Sequence, residues 1–258
     1  MRTVTSRTGA EVSWAQGGRG PALLLVHGSL SDHDTNWTAA RDALEQRFTL
    51  YRMARRGRGA TRATNGHSVE DEADDVAAII GAIGGPVNVL GHSYGAHCAL
   101  AGSARARNVE RLVLYEPPKP SAMPREALER LEELAVHEDW DGLVAAFMRD
   151  ALLVPPAVID ATRPTDDWTN MVADAAPSLE DWRALIRYDF DASQFRSMAV
   201  PVLLLVGSES PNELYVTDAL QAALPNVKRV VLEDQGHEAA STAPEVFVRA
   251  VTEFLLDC

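Results

Sequence analysis

The segment Gly91-His92-Ser93-Tyr94-Gly95 restricts what this chain can fold into more than any other, because of what flanks it. The β-branched stretch Pro86-Val87-Asn88-Val89-Leu90 runs into it, and small residues follow from Ala96 to Ala106. A strand therefore passes straight into a helix through a turn too tight for bulky neighbours, and the glycines two residues before and after Ser93 let the two elements approach. Such a turn pushes the Ser93 hydroxyl out at the strand end. A serine hydroxyl alone is a poor nucleophile at neutral pH, so chemistry here requires a histidine base and an orienting carboxylate from elsewhere in the chain.

The surrounding pattern shows what kind of sheet would carry that turn. Apolar runs at Ala22 to Val26, Phe48 to Met53, Val87 to Leu90, Val109 to Tyr115, Val200 to Val206 and Val227 to Leu232 read as buried strands, with amphipathic segments between most of them. That alternation predicts a mostly parallel sheet covered by helices on both faces. Thr3 to Ser6 and Val12 to Ala15 alternate in polarity around Gly9, which predicts a leading hairpin and brings the sheet to eight strands. Ser68 predicts a helix start, with Asp71 three residues on and Gly84-Gly85 at the end. The acids from Glu70 to Asp75 then read as helix-dipole partners, and capping accounts for them without a metal ion.

The alternation stops after Tyr115. From about Lys119 to Ser197 the pattern is helical, as in Pro124 to His137 and Trp140 to Leu152, and strands resume at Val200. This predicts a helical cap, residues 119-198, inserted after the sixth strand of a core domain made of residues 1-118 and 199-258. An insertion at that point lies over the carboxyl ends of the strands, where open α/β sheets bind ligands. Trp140, Trp168 and Trp182 in the insertion, with Trp37 outside it, are candidate walls of an apolar pocket. The plainer reading makes most of the insertion's aromatics its own core and Trp37 a helix-packing residue.

Composition narrows the partners. A net charge of -13 repels phosphate backbones and anionic lipid, so neither nucleic acid nor a membrane surface is expected. The first residues lack the apolar stretch of a signal peptide, and no apolar run reaches membrane-spanning length, so a cytoplasmic location is the default expectation. Cys98 and Cys258 have no metal-ligand spacing and are assigned no function.

A base is available late in the chain. His237 lies in Gln235-Gly236-His237-Glu238, between the last strand and the helical segment Pro244 to Leu256, which places it on a loop at the same end of the sheet as Ser93. His33, His67 and His137 read as surface residues, His97 faces its helix's neighbours, and His92 is a variable position of the turn. Leu23-Leu24-Leu25-Val26-His27-Gly28-Ser29 is an apolar strand entering a histidine-glycine turn. The backbone amides of Ser29 and Tyr94 are the natural donors for an oxyanion, each worth about 3 kcal/mol in the transition state, with His27 holding the turn by a hydrogen bond.

In this order, HGS, GHSYG and a late GH resemble the α/β-hydrolase fold superfamily over nearly the whole chain. Arg55-Arg56-Gly57-Arg58-Gly59 is similar to the RGxG turn of that family, with Met53 or Ala54 where an aspartate often precedes it. The resemblance implies an α/β-hydrolase fold and a serine-histidine-acid triad. The acid departs from the usual pattern: after the strand Val202 to Val206 the family shows GxxD, and this chain has Gly207-Ser208-Glu209-Ser210. Glu209 stands one residue early and is the alternative acid. Glu116, directly after Leu112-Val113-Leu114-Tyr115, sits at the carboxyl end of the strand that follows the turn and is preferred. The chain is thereby similar to the branch that takes its acid after the sixth strand, including zearalenone-type lactonases.

The resulting expectation is acyl transfer on a hydrophobic carboxylic ester or lactone, with Ser93 as nucleophile, His237 as base and Glu116 as its orienting acid. Neither a metal nor an organic cofactor is required, and the oligomeric state is open between monomer and homodimer. Perhydrolase or haloperoxidase-type activity on the same triad, and a non-catalytic ligand-binding role for the fold, are the alternatives. A lyase reaction on cyanohydrins is a weaker one.

Overall fold

The computed structural model describes residues 1–62 and 67–256, so Cys258 lies outside the described residues. Eight strands form one sheet: β1 (Arg2–Thr5), β2 (Glu11–Gly18), β3 (Ala22–Val26), β4 (Thr49–Ala54), β5 (Val87–His92), β6 (Val109–Tyr115), β7 (Val202–Gly207) and β8 (Val227–Leu232). Their spatial order is β1-β2-β4-β3-β5-β6-β7-β8. The β1–β2 and β2–β4 pairs are antiparallel and every other pair is parallel. β5 and β7 are buried along their whole length, which explains why they read as unbroken apolar runs rather than alternating ones.

Successive side chains of the central strands face opposite sides. Leu24, Val89, Leu112 and Leu204 point into one core with Ile79, Ile80, Ala99 and Leu100. Leu23, Leu25, Leu90, Val113 and Leu203 point into the other with Trp37, Leu44, Phe247 and Val251. The first core is closed by α2 (Val69–Ile83) and α3 (Tyr94–Arg105), the second by α1 (Thr38–Glu45) and the C-terminal helix of the described residues, Pro244–Leu256. Each such fully buried aliphatic side chain contributes roughly 1.5–3 kcal/mol.

The predicted punctuation of α2 is present. Ser68 Oγ accepts a hydrogen bond from Asp71 N at 3.1 Å, and Gly84 closes the helix with φ 77°. β7 begins at Val202 rather than Val200, because Pro201 has no N–H to give the ladder.

Between β6 and β7 lie five helices, α4 (Arg125–Val136), α5 (Trp140–Asp150), α6 (Pro156–Thr162), α7 (Asp166–Ala173) and α8 (Ala175–Arg187), then a short 3₁₀ turn at Ala192–Phe195. They share a core of their own that includes Leu131, Leu143, Trp168, Leu179 and Trp182. Leu30, from the loop after β3, is part of that same cluster, so the helical segment rests on loops at the carboxyl ends of the strands. Among the described residues, no helix is long and apolar enough to cross a membrane.

Candidate active site

Ser93 occupies the junction of β5 and α3 with φ 54° and ψ -128°, a backbone conformation that side chains rarely adopt. The neighbouring glycines make it possible. A Cβ on Gly91 would come within 2.6 Å of Ala96 Cα, and one on Gly95 would collide with the carbonyl oxygens of Val26 and His27. Strand, helix and the loop after β3 are therefore pressed together around the serine, whose Cβ would be 3.0 Å from a Cβ on Gly28.

Glu116 follows β6 directly and is fully buried, and its backbone is also in the left-handed region with φ 48°. That twist turns its carboxylate across the end of β7. Oε1 accepts the Gly207 amide at 2.7 Å, and Oε2 accepts from His237 Nδ1 at 2.6 Å. Glu209 is exposed and makes no bond to His237; its amide donates to Gln235 O instead. Burial penalises the Glu116 charge, yet the bond to His237 outweighs it and holds the carboxyl below its ordinary value. Burial likewise opposes protonation of His237, and the bond and charge of Glu116 overcome it, raising the imidazole above its ordinary value.

The imidazole is held on several sides. Tyr215 stacks on it with centroids 5.4 Å apart and brings its hydroxyl to 3.2 Å from Nδ1. His92, the residue before Ser93, donates from Nε2 to the His237 carbonyl at 3.0 Å, and the two rings lie 4.7 Å apart. Tyr115 donates its hydroxyl to Gly236 O and accepts from Ala239 N at 3.1 Å. None of the bonds made by the His237 side chain reaches the half-buried Ser93 hydroxyl. Catalytic hydrogen bonds are often long before substrate binds and tighten in the complex.

The loop after β3 passes beside the serine. His27, pushed well below its ordinary value by burial and by Arg55 and Arg58, is neutral; Nδ1 donates to Gly28 O at 2.8 Å and Nε2 accepts Arg55 N at 3.2 Å. Gly28 N donates to Asn36 Oδ1 at 3.0 Å, and Leu30 N to Ser178 Oγ at 2.7 Å. Among the described residues, no backbone bond engages the amides of Ser29 or Tyr94.

Beneath this loop lies a charge cluster that the sequence did not reveal. Arg55 bonds Glu72 and Asp181, Arg58 bonds Asp174 and Asp181, and Arg56 bonds Asp75, all of them buried. His67 joins it at 2.9 Å from Asp181 and 3.1 Å from Glu72. Two expectations need correction. His33 is buried and His67 is half-buried in an ion-pair cluster rather than free on the surface, and Glu72 and Asp75 are ion-pair partners of the arginines more than helix-dipole residues. The carboxylates that pair with the arginines come from positions far along the chain, as in the 126-residue separation of Arg55 and Asp181, and no local pattern announces them. His67, Glu72 and Asp181 lie close enough to share a cation, but Arg55 and Arg58 already neutralise those acids.

Three of the four tryptophans named as pocket walls take the plainer, core-packing role instead. Trp37 is fully buried in the core beside Leu25 and Leu44, with its ring edge toward His92. Trp182 stacks on Phe147 with centroids 3.9 Å apart, and Trp168 is in the same insertion core, its Nε1 donating to Asp141 at 2.6 Å. Trp140 is only partly buried at the edge of that cluster. Large apolar residues in a helical segment of this size are consumed by its own core before any remain for a ligand.

With this fold and site in view, the chain belongs to the Alpha/beta hydrolase family, whose model it matches over residues 23–250. Its class is that of a hydrolase. It is similar to an alpha/beta hydrolase from Sphaerobacter thermophilus DSM 20745, at 30% identity and TM-score 0.85 over 98% of this chain and 100% of that one. A thermophilic esterase from Thermogutta terrifontis is 25% identical with TM-score 0.77, over 98% of this chain and 97% of the other. The pyrrolizixenacetamide deacetylase of Xenorhabdus hominickii is 27% identical over 266 residues, 96% of this chain and 95% of that protein.

Proposed function

We propose that the protein is a serine hydrolase that cleaves a neutral carboxylic ester or lactone through Ser93, His237 and Glu116, with no metal or organic cofactor. The observation that carries this reading is the buried 2.6 Å bond from His237 Nδ1 to Glu116 Oε2, which leaves Nε2 as the proton acceptor. In the reaction Ser93 Oγ attacks the carbonyl carbon while His237 takes its proton, and the amides of Ser29 and Tyr94 receive the oxyanion. The protonated imidazole then gives that proton to the leaving oxygen, and water releases the acyl group by the same steps in reverse. The helical segment 119-198 serves as a cap over the site, around the core of residues 1-118 and 199-258.

Burial of Trp37, Trp168 and Trp182 removes much of the argument for a strongly apolar substrate, so neutrality of the acyl group is the part retained. A second reading, hydrolysis of an acetamide, draws support from the deacetylase relative and uses the same acyl-enzyme. The test is a panel of neutral esters, lactones and one acetamide, assayed with wild type and Ser93→Ala alongside labelling by a fluorophosphonate. Stoichiometric labelling of Ser93 with turnover of a panel member is the expected result. An unlabelled, inactive wild type would leave the ligand-binding role in its place.

A further inference from the structure

Asp181, on α8 of the helical insertion, is fully buried and receives hydrogen bonds from four side chains of the core. Arg55 Nη2 reaches Oδ2 at 2.6 Å and Arg58 Nη2 reaches it at 2.8 Å, while His67 Nε2 is 2.9 Å from Oδ1. The fourth donor is the hydroxyl of Ser29, 2.8 Å from Oδ2. Two of these partners touch the oxyanion loop directly. Ser29 is part of it, and Arg55 grips it from below through Nε to His27 O at 2.8 Å and Nη2 to Gly28 O at 2.9 Å. Ser178, one helical turn before Asp181, accepts the amide of Leu30 at 2.7 Å, and Leu30 has φ 56°, a conformation that its surroundings must impose.

We propose that Asp181 is a positioning residue for the oxyanion hole, so that the direction of the Ser29 amide is set by docking of the helical insertion rather than by the core alone. Asp181 acts through the Ser29 hydroxyl and through Arg55, and touches no reacting atom. Charge-assisted bonds inside a dry cluster are stronger and more directional than the same bonds in water. With the insertion displaced, the loop loses its ties to Asp181 and Ser178, and Arg55 loses one of the two carboxylates that orient it. Catalysis is thereby coupled to closure: the hole is competent only with the insertion seated. This inference rests on the acyl-transfer reading given above.

The test uses the full chain, a neutral p-nitrophenyl ester and a fluorophosphonate. Ser29→Ala keeps the amide and removes the tie to Asp181, whereas Ser29→Thr restores a hydroxyl. The expected result is an approximately tenfold fall in kcat and in the phosphonate inactivation rate for Ser29→Ala, with KM within about twofold, and recovery of most of it in Ser29→Thr. Asp181→Ala loses more, and adding Ser29→Ala to it costs nothing further, because the tie is already cut. Wild-type kcat in Ser29→Ala, no recovery in Ser29→Thr, or losses that multiply in the double variant would each overturn the inference. If Asp181→Ala does not fold, the alanine–threonine pair at position 29 decides alone. Failure of the fluorophosphonate to label wild-type Ser93 defeats the acyl-transfer reading, whereas labelling with an unaffected Ser29→Ala defeats only this one.

Discussion

Glu116→Gln isolates the role of the buried acid with almost no change of shape. The wild-type carboxylate uses its two oxygens differently, Oε1 on Gly207 N at 2.7 Å and Oε2 on His237 Nδ1 at 2.6 Å. Glutamine offers one oxygen. If that oxygen stays on Gly207 N, the amide NH₂ faces Nδ1, which must then act as acceptor; the imidazole proton moves to Nε2, and the ring cannot take the proton of Ser93. If the amide turns over, its NH₂ faces the Gly207 N–H, and two buried donors are left against each other at about 1–3 kcal/mol. In serine proteases a fixed wrong tautomer lowers kcat by about 10⁴, or about 5.4 kcal/mol of transition-state stabilisation. The expected outcome is a loss of that order in ester turnover with the thermal midpoint within a few degrees of wild type. Glu209→Gln, at an exposed position with no contact to His237, is expected to stay within about twofold. Glu116→Gln activity within tenfold of wild type, or collapse in Glu209→Gln instead, refutes the reasoning.

In the proposed reaction the neutral form of His237 is the base, and Glu116 raises its pKa above the ordinary 6.5, so kcat/KM should climb with pH along a limb centred above 6.5. In Glu116→Gln burial is opposed only by the weaker charge of Glu238, and the residual activity should show that limb displaced to lower pH; a limb at the same position in both proteins would contradict the electrostatic assignment. His67 is raised from 6.5 to about 9 by Asp181 and Glu72 despite its burial. A raised pKa stabilises the fold fully below about 6.5 and loses that contribution as pH rises through 9, on the order of a few kcal/mol, so denaturation midpoints should fall across that window and much less so in His67→Gln. Trp182→Ala removes a buried ring stacked on Phe147 and should cost about 3–5 kcal/mol in urea unfolding, and a cost below 1 kcal/mol would mean the insertion core collapses around the gap.

Local chemistry made much of the molecule legible in its residues. The runs Ala22 to Val26, Val109 to Tyr115 and Val227 to Leu232 coincide with β3, β6 and β8, because each is a short β-branched and aliphatic stretch bounded by Gly, Pro, Asn or charged residues, even though Glu110, Arg111, Lys228 and Arg229 lie within β6 and β8. The turn at Ser93 is equally local, since two glycines and a positive φ belong to five consecutive residues. The placing of Glu116 after β6 was also readable, but only the folded sheet brings it beside Gly207 and His237, through parallel pairing of β6 with β7.

The charge cluster stayed hidden for a physical reason. Burying Arg55, Arg58 and Asp181 is tolerable only because each finds the others, and their separation along the chain leaves nothing in any window of sequence to show that they do. Which role each tryptophan takes was undecided for the same cause, since an aromatic residue looks the same in sequence whether it lines a cavity or fills a core. Sequence by itself determined the order of strands and helices and the strained turn that carries Ser93, because those depend on neighbours a few residues away. Tertiary structure alone decided which acid meets the histidine, which side chains are withdrawn into cores, and that an aspartate of the insertion holds the loop beside the serine, because those depend on where distant segments come to rest.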